Sequence, residues 1–118
     1  MRFLCLYKPA KPEGTPPTPK EMAEMGKLIE DSMKSGKLLA SEGCLPSALG
    51  ARVRLSNGKF NVVDGPFTES KEAVAGYILL RVADLDEATK IAKECPGLDY
   101  GMSVEVRPIS GEIGRGPD

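Results

Sequence analysis

With 118 residues and a formal net charge of −1, the chain carries no field that steers it toward nucleic acid or an anionic membrane. Apolar residues make up 41% and charged residues 28%, which predicts one ordinary domain, residues 1–118, with a core that needs no staples. Histidine is absent, which excludes Ser-His-Asp and Cys-His catalysis and histidine-ligated metals.

Arg2–Lys8 is dense in apolar residues and reads as a strand, with Phe3, Cys5 and Tyr7 on one face and Leu4 and Leu6 on the other. Both faces are apolar, so the strand is expected to be covered on both sides. Pro9–Pro17 holds four prolines and a glycine and must be a loop, either a plain connector or a pocket lid. Thr18 with Pro19 and Glu21 then opens a helix through a capping box. Met22, Met25, Ile29 and Met33 form its apolar stripe, expected to pack on a sheet, and Gly36 supplies its stop.

Lys37–Leu45 reads as a second strand, ended by Pro46. Arg52–Ser56 and Lys59–Asp64 flank Asn57-Gly58, the dipeptide of a two-residue hairpin. Pairing outward from that turn puts Leu55 opposite Phe60 and Val53 opposite Val62 on a side expected to face the core. Arg54 and Asn61 share the other side with Arg52 and Val63. Asp64-Gly65-Pro66-Phe67 then breaks the ribbon at a sharp corner, beside which a pocket is expected.

Ala73–Val82 is a strand apolar on both faces. Ala83–Glu94 is a helix capped by Asp84, with Glu87 three residues on and a stripe of Ala88, Ile91, Ala92 and Cys95. Pro96-Gly97 ends it. Met102–Ile109 alternates again, and the Gly-rich tail, residues 110–118, is expected to fray or lie on a neighbouring surface.

The order is the βαββαβ plan of a ferredoxin-like α+β subunit with an inserted β-hairpin. Two helices cover one sheet face. Phe3, Cys5, Tyr7, Tyr77 and Leu79 are expected to leave the other face apolar, and a second copy related by a two-fold axis is the simplest cover. The expected assembly is a homodimer.

No apolar run approaches the roughly 20 residues of a membrane span. Met1–Pro9 is too short for a signal peptide, so a cytoplasmic location is expected, without membrane or direct nucleic-acid partners. Cys5, Cys44 and Cys95 are odd in number and widely spaced, which argues against disulfides or a zinc site. No phosphate-binding loop or dinucleotide fingerprint occurs, so no cofactor is implied.

At Val63–Glu72, VVDGPFTESKE from Val62 onward, the chain resembles the DGPF-motif branch of the YCII-related family. The likeness extends over Met1–Lys8, Glu42-Gly43 with Leu45-Pro46, Gly76-Tyr77, and Cys95-Pro96 leading to Val104–Pro108. It implies a dimeric α+β barrel of ferredoxin-like subunits. Some relatives in the wider family are small-molecule enzymes, including a dehydrochlorinase, thought to use a His-Asp pair that a chain without histidine does not carry.

Asp64 is the first candidate carboxylate, either a general base or the cap of the Gly-Pro turn. Lys71 and Glu72 can bind an anion or form a solvated charged turn, and Glu69 and Ser70 are weaker candidates. Arg107 can hold a carboxylate or phosphate, or pair with Glu105 across a dimer. Arg52 and Arg54 read as solvated. Tyr7, Tyr77 and Tyr100 offer hydroxyls, and Cys44, beside Glu42 and Gly43, is the most loop-like thiol. The ligand-binding candidates are thus Tyr7, Glu42, Asp64, Lys71 and Arg107. Two functions stay open: a dimer that binds an unknown small molecule beside the Asp64 corner, with a regulatory role, or a cofactor-free lyase or isomerase with Asp64 as base.

Overall fold

The computed structural model describes residues 1–66 and 73–110, except the Tyr100 side chain. Along them run β1 (Arg2–Lys8), α1 (Pro19–Lys34), β2 (Leu38–Gly43), β3 (Ala51–Ser56), β4 (Lys59–Asp64), β5 (Gly76–Arg81), α2 (Leu85–Ala92) and β6 (Ser103–Pro108). The main sheet has four antiparallel strands in the order β2-β5-β1-β6. Each helix therefore crosses between two strands that flank a third. This α+β arrangement is compatible with a ferredoxin-like fold.

Local chemistry sets the helix ends. Thr18 Oγ1 accepts the Glu21 amide at 3.1 Å, and the Glu21 carboxylate accepts the Thr18 amide at 3.4 Å. At the far end Lys37 N–H donates to Ser32 O and Gly36 N–H to Met33 O, a Schellman closure around Gly36 at φ 75°. Asp84 caps α2 by accepting the Glu87 amide at 2.9 Å. The Glu87 carboxylate takes the Ala83 amide and Lys37 Nζ, which lowers its pKa.

The core lies between the sheet and both helices. Phe3, Cys5, Ile78 and Leu80 are its fully buried side chains, joined by Tyr7, Leu28, Val82, Ala88, Ile91 and Cys95. Burial of each large apolar side chain contributes about 1.5–3 kcal/mol. This corrects the expected face. Phe3, Cys5 and Tyr7 lie beneath the helices, not on the open side. Tyr77 and Leu79 do not share their face, because the register sets Leu4 opposite Leu79 and Leu6 opposite Tyr77. These four half-buried residues form the open face. A two-residue period says which side chains share a face. When both faces are apolar it does not say which one the helices take.

The helix stripe also differs. The buried positions of α1 are Leu28 and Ser32, with Met25 half-buried, while Met22 and Met33 are exposed. A four-residue step from Leu28 fits the sheet as well as the methionine stripe does, and Ser32 is small enough to let the helix approach.

Strands β3 and β4 form a separate two-stranded ribbon. Its register is the one read from the turn, with Leu55 opposite Phe60 and Val53 opposite Val62. Asn57 at φ 52° and Gly58 at φ 76° give the left-handed pair that a type I′ turn demands. The apolar side expected to face the core is instead exposed. The ribbon projects from the sheet, and the 16.0 Å radius of gyration exceeds the roughly 13–14 Å of a compact chain this long.

Candidate functional site

A cavity of about 730 Å³ opens between α1 and one end of the sheet. It exists because the sheet there offers little side chain. On the helix-covered face Tyr7 pairs with Gly76, and Gly76 pairs with Gly43. Across β1, β5 and β2 this row carries one ring and two bare backbones, with Val104 of β6 on the far side of Tyr7. Gly76 is obligatory in this row, since a Cβ there would come within 2.8 Å of Glu42 O. Gly43 is not, since a Cβ there would meet only Ala75 O, at 3.8 Å.

Above that floor α1 contributes Met22, Met25, Gly26 and Ile29. The loop from Pro9 to Pro17 forms a wall, as the lid reading allowed, and residues 44–46 and 73–75 close the sides. A helix carrying glycine at position 26 and methionines beside it leaves room and adaptable walls. The proline-rich loop is held in place by Glu13. Its carboxylate accepts the Ser47 amide at 3.0 Å and the Ser47 hydroxyl at 2.6 Å. Lys11 lies 3.4 Å from Glu21 of α1, which ties the loop to the helix by an ion pair.

Tyr7 supplies a hydroxyl at the floor. Its oxygen is 3.0 Å from Cys95 Sγ and 3.3 Å from Met25 Sδ. A thioether only accepts, so Tyr7 is the donor toward Met25, while in the Cys95 contact either the phenol or the thiol can donate. Burial, reinforced by the Cys95 contact, pushes the Tyr7 hydroxyl far above its ordinary pKa. Burial likewise raises Cys95, and burial with nearby Cys95 pushes Cys5 up to about 11. These groups stay neutral and are unsuited to nucleophilic or base catalysis at neutral pH.

The remaining candidates are dispersed. Asp64 is exposed at the base of the ribbon and does not line the cavity. Among the described residues of the corner, residues 64–66, the link to the cavity wall is indirect. Gly65 N–H donates to Gly50 O at 3.0 Å, and a Cβ on Gly65 would collide with the Ser47 carbonyl, next to cavity-lining Pro46. The cavity lies one step away from Asp64, and Asp64 is not among its lining residues.

Glu42 borders the cavity, but the register alternates its side chain with that of Gly43, onto the face of Tyr77 and Leu6. Arg107 and Glu105 also lie on that open face, exposed and 4.0 Å apart. Phe67, Glu69, Ser70, Lys71 and Glu72 lie outside the described residues, as do the Tyr100 side chain and residues 111–118. Cys44 is exposed at the cavity rim, its amide donating to Ala75 O at 2.8 Å.

Among the described residues no three His, Cys, Asp or Glu side chains group as metal ligands, and no helix is long and apolar enough to cross a membrane.

Sequence reading missed Gly43 and Gly76 as the makers of the cavity. The signal was available, because glycine within a strand marks a close backbone approach or a place kept clear of side chains.

The chain is 33% identical over 90 residues to an uncharacterized protein of Rhizobium meliloti (strain 1021), an overlap of 75% of this chain and 73% of that protein. The family model for the YCII-related domain matches residues 1–110, thus taking in the strands around the Tyr7–Gly76–Gly43 floor, the helix above it and the ribbon beside it. By that match the chain belongs to the YCII-related domain family.

Proposed function

We propose that the protein binds a neutral, largely apolar small molecule with an aromatic ring in the cavity over Tyr7, Gly76 and Gly43. The observation that carries this is the cavity itself: 730 Å³, bare-backbone floor, methionine and proline walls. That volume lies within the range of sites for drug-sized ligands, which are mostly apolar with a few polar groups. Methionine thioethers favour contact with ring edges. Lys11 pairs with Glu21 and the Glu13 carboxylate is hydrogen-bonded by Ser47, so these charges are engaged by the protein and the apolar remainder of the lining favours an uncharged ligand. The Pro9–Pro17 loop acts as the lid.

The assembly we propose is a homodimer of single-domain ferredoxin-like subunits, each with the β3–β4 hairpin inserted, forming the α+β barrel implied by the DGPF-type corner. The support is the half-exposed apolar face of Leu4, Leu6, Tyr77 and Leu79, which a second copy would cover. The role is binding, with regulation through ligand occupancy. The lyase or isomerase reading with Asp64 as base draws no support from an Asp64 that stands exposed outside the cavity.

The test is a thermal-shift screen of neutral aromatic metabolites against the wild type and a Gly43→Val variant whose side chain occupies the floor. Ligands that raise the wild-type melting point and leave the variant unmoved support the proposal, since binding stabilises by mass action. Equal shifts in both proteins contradict it.

A further inference from the structure

The ribbon carries apolar surface that the fold of one chain does not use. Val53, Leu55, Phe60 and Val62 share one side, in two directly facing pairs. They are 63%, 64%, 78% and 60% exposed. Scattered exposed apolar residues are ordinary, but four in one contiguous patch are not. A two-stranded hairpin is also marginal in water without a surface to pack on. Here the strands bond to each other, and Gly65 N–H to Gly50 O ties the base. The opposite side holds Arg54 and Asn61 with Arg52 and Val63, so it is mostly polar where the first side is apolar in both central pairs.

We infer that the β3–β4 ribbon is an intersubunit arm, its apolar side covered by a second copy of the chain. The inference rests on the dimer proposed above and goes beyond it by assigning the arm a place in the interface. A two-fold axis supplies two arms. The four side chains of each expose on the order of 400 Å² of apolar surface. Two arms, with the surface they cover, then hide about 1,600 Å², the standard size of a stable interface.

The open sheet face is a second apolar surface among the described residues. A second copy is the occupant that covers both in one association. The arm prolongs the sheet-to-sheet contact past the edge of the four-stranded sheet.

The experiment is sedimentation equilibrium on the full chain, comparing wild type, a Leu55→Ser/Phe60→Ser double variant and an Arg54→Ala control on the polar side. The wild type is expected to be a dimer. The double variant should raise the dissociation constant at least about 100-fold, as loss of two central apolar anchors does, while the control leaves it unchanged. If the double variant does not stay folded, amide exchange on the wild type decides: residues 53–62 should exchange more slowly at high than at low protein concentration. A wild-type dimer whose affinity the double variant does not change, or whose ribbon amides ignore concentration, overturns the arm and leaves the sheet-face dimer standing. A wild-type monomer overturns both.

Discussion

Substitutions at two glycines of one row should have opposite signs. Gly43→Val adds a side chain whose Cβ meets only Ala75 O, at 3.8 Å, an ordinary contact. The backbone there is extended, so valine fits the strand. Removing a strand glycine stabilises by about 0.5–1 kcal/mol. Partial cover of three added carbons contributes roughly 1 kcal/mol more, less the entropy of fixing the new side chain. We expect a net gain of about 1 kcal/mol and a melting point higher by roughly 3–6 °C.

Gly76→Ala puts its Cβ 2.8 Å from Glu42 O and 3.2 Å from Gly43 Cα. Both are backbone atoms of the paired strand, so relief means spreading β2 from β5. The expected cost is about 1–3 kcal/mol. Thermal melts of the two variants beside wild type are the assay. If Gly43→Val lowers the melting point as much as Gly76→Ala does, Gly43 does not face empty space and the account of the cavity is wrong.

Three further outcomes follow from the same geometry. Stability should fall in alkali: Cys5, Cys95 and Tyr7 are all held neutral, and Cys5 ionises only near pH 11 when folded. Because the folded pKa is raised, the stability linked to these groups is complete below the unfolded thiol value of about 8.5. The Cys5 part, at most about 2–3 kcal/mol, is then lost as pH climbs toward 11, and the Tyr7 part only above the ordinary phenol value of about 10. Urea midpoints at pH 8 and pH 10.5 check this, and equal midpoints would count against it. Glu13→Ala removes both bonds to Ser47 and should cost about 1–2 kcal/mol. Amides in residues 9–17 should exchange faster in it, and unchanged exchange would mean that the latch does not hold the lid. Asp64→Asn should leave the affinity for any cavity ligand within about twofold, since an exposed side chain outside the cavity makes no contact with it. A loss of tenfold by titration calorimetry would restore Asp64 to the site.

Much of the fold was legible because local signals were strong. The Thr18–Glu21 box, the Asp84 cap, the Gly36 stop and the Asn57-Gly58 turn each fix their own backbone, and the structure has them where the residues put them. The faces were less legible. β1 is apolar on both sides, so periodicity could group Phe3 with Tyr7 but could not say that the helices cover them. The ribbon's apolar side looked like core because alternation groups side chains on one face and does not say what packs on it.

The site was legible in outline only. Sequence reading drew attention to charged and hydroxyl groups at the Asp64 corner. The cavity depends instead on residues without side-chain chemistry: Gly43, Gly76 and Gly26 make space, while the prolines of the 9–17 loop line one wall. Tyr7 was a candidate for its hydroxyl. Its place on the cavity floor follows from the pairing of distant strands, which no local pattern encodes.

The most direct test uses the five methionines as reporters. Met22, Met25 and Met102 line the cavity, whereas Met1 and Met33 do not. Carbon-13 labelling of the methionine methyl groups, with titration of the neutral aromatic N-phenyl-1-naphthylamine, reads all five at once. The account predicts saturable ring-current shifts at Met22, Met25 and Met102, with Met1 and Met33 unmoved. Shifts confined to Met1 and Met33, or none at any methionine up to the solubility of the probe, would contradict it.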